Sequence, residues 1–174
     1  MKSAQPPIRG LKVPLARIVF AGLVGGGAFD LAVFLTFGLF GTGLNQKGIL
    51  LDSSIQSPKL VAVWTQIQPL PLLVTNPGLI LAGFFVFSMG HAFIYQSVAP
   101  AWPPGIKGRM WRMAAVVWFL SALFFEFFTP FNLLGEPIPL IGLELTFWGI
   151  VAVVEALVLV TVFEWKTSRK VQSA

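Results

Sequence analysis

Four stretches of mostly apolar residues, 18–40, 78–98, 110–128 and 140–163, decide what this chain of 174 residues can become. Each reaches the run of about 18 or more residues that crosses a hydrocarbon layer of about 30 Å as a helix, at about 1.5 Å per residue. A hydrophobic content of 56% against 11% charged residues leaves too little polar surface to cover a water-soluble domain. Lipid is the natural solvent. The sequence therefore predicts an all-α integral membrane protein of one domain, residues 1–174. Its expected form is a four-transmembrane-helix bundle with a polar N-terminal lead at 1–13, a C-terminal tail at 166–174 and a short interfacial segment between the first two helices.

The net charge of +5 raises the question of nucleic acid, and the positions of the cations answer it. Lys2, Arg9, Lys12 and Arg17 precede the first span, Lys107, Arg109 and Arg112 separate the second from the third, and Lys166, Arg169 and Lys170 follow the fourth. The other connections hold only Lys47 and Lys59. Ten of the twelve cations thus share one side, which the positive-inside rule assigns to the cytoplasm together with both termini. Basicity here is a topology signal, and no nucleic-acid partner is predicted. The first apolar run is about twice the length of a signal peptide's and no A-x-A-like site follows it, so it reads as an uncleaved span. In size and number of spans the chain is similar to many small bacterial inner-membrane proteins. That resemblance covers no motif, and it implies a location but no function.

The connection from 41 to 76 is long enough that part of it should be ordered. Within 58–68, Leu60, Trp64 and Ile67 recur at helical spacing, which predicts a short amphipathic helix at the interface ended by Pro69 and Pro71, while the alternation in VAVWTQIQ equally fits a strand. Asn76 and Pro77 are suited to cap and begin the second span. Pro100, Pro103 and Pro104 stop it, Thr129-Pro130 is expected to end the third, and FNLLGEPIP to form the hairpin into the fourth. Trp102, Trp111 and Trp165 fall where an aromatic belt belongs.

Small residues mark expected packing faces. Gly22 and Gly26 form a G-x-x-x-G in the first span, and Gly83 and Gly90 in the second and Gly142 and Gly149 in the fourth recur every seven positions. Such stripes let helix backbones approach closely, within the chain or against another copy.

The candidate polar site consists of Asp30 near the middle of the first span, His91 and Tyr95 on one face of the second, Glu126 in the third, and Glu144 and Glu155 on one face of the fourth together with Trp148. Glu136 is expected in the hairpin near water. An ionised carboxylate near the bilayer centre costs about 2.5–3.5 kcal/mol on insertion scales, and no lysine or arginine shares these depths. Several readings follow. His91 meeting Glu155 and Glu126 meeting Glu144 would join helices; Glu144/Glu126, Asp30 and Glu155/His91 would form steps for protons or small cations; or His91 and Glu155 would serve as acid and base on a lipid-like substrate. Haem or chlorophyll on His91 is a further alternative. With no cysteine and one histidine, a conventional zinc or iron site is not predicted, and no catalytic or nucleotide-binding fingerprint occurs. The reading adopted is a structural or accessory subunit that packs in the bilayer with itself or within a larger complex, with conduction as the first alternative.

Overall fold

A computed structural model of the chain describes residues 13–165, so the lead at 1–13, apart from Val13, and the tail at 166–174 lie outside the described residues, as do Lys2, Arg9, Lys12, Lys166, Arg169 and Lys170. Four helices are long and apolar enough to cross a membrane: α1 (Leu15–Thr42), α3 (Pro77–Ala101), α4 (Ile106–Leu133) and α5 (Ile138–Glu164). A short helix, α2 (Pro58–Thr65), lies in the long connection, and no strand occurs among the described residues. The architecture is an all-α four-helix membrane bundle. Both ends of the described chain lie at one end, here the proximal end; the long connection and the α4–α5 hairpin form the distal end.

α1 occupies the centre of the packing, lying against both α3 and α5, and α4 packs on α5. The physical cause is the lack of side chains on one face of α1. A β-carbon on Gly22 would sit 2.7 Å from the Met89 Cα, and one on Gly26 would sit 3.0 Å from the Phe85 Cα. The predicted G-x-x-x-G therefore seats α3 on α1. Gly25 faces Ser88 and Leu159, which brings α5 to the adjoining face. Gly149 approaches Trp118 of α4, whereas Gly83, Gly90 and Gly142 have nothing within 4 Å of where a β-carbon would be. Those three glycines pack against no other part of the described residues.

The proximal half of the core holds Ile18, Ala92, Tyr95, Met113, Ala156 and Leu159. Towards the distal side a second apolar layer is formed by Phe29, Ala32 and Val151, with Phe84 and Trp148 against it. The Phe29 ring lies 5.0 Å from that of Phe84 and 6.1 Å from that of Trp148, centroid to centroid. α3 and α4 meet at few points, and a cleft of about 560 Å³ runs between them.

Two local expectations are corrected. Thr129-Pro130 does not end the third span; α4 runs to Leu133, with Pro130 inside a π-helical stretch, Phe127–Leu133. Proline lacks the N–H of the ordinary ladder and crowds the carbonyl four residues earlier, and the wider turn relieves both conflicts. Asn76 occupies the capping position of α3, but its side chain makes no capping hydrogen bond. The ambiguity at 58–68 resolves as helix, which stops at Thr65 and buries only Leu60 of the three predicted face residues.

These contacts separate two kinds of glycine. Gly22→Ala forces backbone apart and is expected to cost about 1–3 kcal/mol, whereas Gly90→Ala should be neutral or stabilise the single chain by up to about 1 kcal/mol. Reversible unfolding in mixed detergent micelles distinguishes the two, and equal losses would contradict the packing described.

Candidate functional site

The polar side chains gather into two clusters at the ends of the bundle and one pair between them. At the distal end Glu126 of α4, Glu136 of the hairpin and Glu144 of α5 bring one carboxylate oxygen each within 4.8 Å of one another. Glu126 and Glu136 are 0% and 1% exposed. Burial of Glu136 corrects the expectation that it meets water: the segment after α1 folds over the hairpin and shields it. Gln56 Nε2 donates to Glu136 Oε1 at 2.6 Å and to the Leu50 carbonyl at 3.1 Å. Ser57 Oγ donates to the Leu134 carbonyl at 2.6 Å, and Lys59 Nζ to that of Leu133 at the same distance. Burial pushes the Glu136 carboxyl above its usual range; the Gln56 hydrogen bond pulls it down, and the charge of Glu126 adds to the rise.

Glu126 and Glu144 lie within hydrogen-bond reach of each other, the meeting expected from sequence. Trp148 Nε1 donates to Glu126 Oε1 at 2.5 Å. Oε2 of Glu126 and Oε2 of Glu136 are buried with no amide, indole or hydroxyl partner.

Between the ends, His91 Nδ1 lies 2.9 and 3.0 Å from the two oxygens of Glu155, and both residues are buried. The predicted pairing of α3 with α5 is present. A proton on Nδ1 gives Glu155 its hydrogen bond, and the Phe87 ring packs 4.2 Å from the imidazole. His91 is 4% exposed, so no face of its ring is presented at the surface to a macrocycle. At the proximal end the Tyr95 hydroxyl donates to Glu164 Oε1 at 2.6 Å, and Arg109 forms an ion pair with the same oxygen. Arg109 also donates to the carbonyls of Pro103 at 3.2 Å and Trp102 at 3.3 Å. Through Glu164, the Tyr95 hydroxyl and the Arg109 guanidinium together join α3, α4 and α5. Asp30 is half-buried and joins neither cluster; its Oδ1 has no hydrogen-bond partner among the described residues.

The apolar layer of Phe29, Ala32 and Val151 lies between the distal carboxyls and the His91–Glu155 pair. Along α5 the distance from Glu144 to Glu155 is about 16 Å. The cleft between α3 and α4 is walled by Gly83, Phe84, Phe87, Ser121 and Phe125, and Trp148 contributes to its floor. Neither His91 nor Glu155 lines it, so this acid–base pair does not face the cleft. Trp148 touches both the cleft and Glu126.

No family model, curated protein or solved structure matches the chain.

The His91–Glu155 contact makes a direct prediction. His91→Leu leaves a buried carboxyl without its partner and should lower stability by about 3–5 kcal/mol, whereas the double replacement with Glu155→Leu should restore most of that loss. A double-mutant cycle of detergent unfolding measures it, and additive losses would show that the two groups do not interact.

Proposed function

We propose that this chain is a non-catalytic subunit of a membrane assembly, built to pack against further copies of itself. The observation that carries the reading is a pair of small-residue stripes in which Gly83, Gly90 and Gly142 have nothing from the described residues packed on them, Gly149 alone being approached, by Trp118. Gly142 and Gly149 line a shallow groove of about 730 Å³ on the α4–α5 face, walled by Trp111 and Trp118. On α3, Gly83 and Gly90 are exposed with the same seven-residue spacing. α3 and α5 both begin at the distal end, and the stripes start about 9 and 6 Å from their helix starts. Two backbones running in the same direction can therefore meet at matching depth, with α3 of one copy in the α5 groove of the next. Such a head-to-tail contact forms rings or chains.

The buried polar groups support this reading by the way they are used. His91 with Glu155, Tyr95 and Arg109 with Glu164, and Trp148 with Glu126 each join different helices. Conduction through the carboxyls is less well supported, because the Phe29, Ala32 and Val151 layer interrupts the steps and Asp30 stands apart from both clusters. Location in a bacterial inner membrane with cytoplasmic termini remains part of the proposal. Arg17, Lys107, Arg109 and Arg112 at the proximal end, against Lys47 and Lys59 at the distal end, support that orientation.

The chain contains no cysteine, which makes single-cysteine cross-linking direct. A mixture of Gly83→Cys and Gly142→Cys chains in liposomes should cross-link between copies, and Gly142→Phe should abolish association while leaving the unfolding of the single chain unchanged. The same liposomes should show no proton flux above empty vesicles. A strictly monomeric protein with no cross-link, or flux lost on Asp30→Asn and Glu155→Gln, would overturn the reading.

A further inference from the structure

The distal carboxylates carry an inference that does not depend on self-association. We infer that Glu126, Glu136 and Glu144 bind a single divalent cation of calcium size, held where α4, the hairpin and α5 converge. Three features lead there. The first is spacing. Calcium takes oxygen ligands at about 2.3–2.6 Å, so two oxygens on one ion stand at most about 5 Å apart. The three carboxylate oxygens, all within 4.8 Å of one another, fit around one such ion.

The second is the state of the buried oxygens, and it points to a ligand independently of the spacing. Glu126 and Glu136 are almost completely buried, and each has one oxygen fixed by a nitrogen donor, Trp148 Nε1 on Glu126 and Gln56 Nε2 on Glu136. The other oxygen of each is buried without such a partner. Donors outside the ligand set that fix the orientation of ligating groups are a regular part of metal sites. The third is charge. Several carboxylates in one buried space need compensation, and the nearby cation, Lys59, is exposed and donates to the Leu133 carbonyl.

Protons compete for this role. One proton shared between Glu126 and Glu144 satisfies that contact. Glu136 Oε2 receives no donor from the described residues, so a proton there would have only the neighbouring carboxylates to bond to. A cation meets all three carboxylates at once. Gln56 is then a positioning residue: it holds Glu136 and ties the segment after α1 to the site through Leu50.

Terbium substitutes for calcium and its luminescence is sensitised by a nearby indole, a role that Trp148 is placed to fill. The full-length protein, stripped with chelator and held in uncharged detergent, is titrated with terbium under tryptophan excitation and then with calcium. One saturable terbium per chain, displaced by calcium, is expected, together with a calcium-dependent rise in Tm. Glu136→Gln should weaken binding at least tenfold, and Gln56→Ala should weaken it less. Glu155→Gln, remote from the cluster, should bind as the parent does. If Glu136→Gln does not fold, the titration of the parent protein decides alone. A folded parent that gives no saturable signal and no calcium-dependent Tm overturns the site, and a Tm that rises only on acidification assigns the cluster to protons instead.

Discussion

The approach of α1 to α3 across Gly22 and Gly26 sets the spacing on which the other contacts depend. α1 lies against both α3 and α5, so its girth where it faces them fixes how far apart those two helices stand. α3 and α5 touch each other little, yet His91 and Glu155 span the interval with hydrogen-bond distances of 2.9 and 3.0 Å. A thicker α1 would draw that pair apart. Hydrophobic burial cannot supply this order by itself, because lipid tails are as apolar as the side chains they would replace. Close backbone packing and a few enclosed polar contacts take over the role that a dry core plays in water.

Much of this was legible in the sequence, for identifiable reasons. The four spans follow from length and polarity, and Gly22 with Gly26 declares a face because a helix repeats every 3.6 residues. His91 with Glu155 was foreseeable because both fall at similar depth and neither has a cation nearby. What escaped notice depends on contacts between distant segments. Gln56 lies 80 residues from Glu136, just ahead of the periodic stretch at 58–68, so nothing local identifies it as the lid of a carboxyl cluster. Glu164 sits at the end of a long apolar helix, where an acid looks like a solvated terminus; only the return of α4 brings Arg109 to it. Pro130 misled because the rule for proline assumes the ordinary ladder, and α4 adopts a wider one.

The polar groups divide by what surrounds them. Those nearest the proximal end saturate one another: Tyr95, Arg109 and Glu164 form a closed set between three helices. Those at the distal end do not, since two of the carboxylates keep an unspent buried oxygen. The apolar layer built on Phe29 and Val151 keeps these environments apart. A membrane bundle can use carboxyls as fasteners at one level and as ligands at another, provided that a dry layer lies between.

The slot left where α3 and α4 fail to close has a consequence of a different kind. Its walls are phenylalanine and its floor includes Trp148, so in a membrane the chain turns towards hydrocarbon an apolar recess that its own helices leave unfilled. Trp148 floors that lateral opening and also donates to Glu126, so the slot and the distal carboxyls share one side chain.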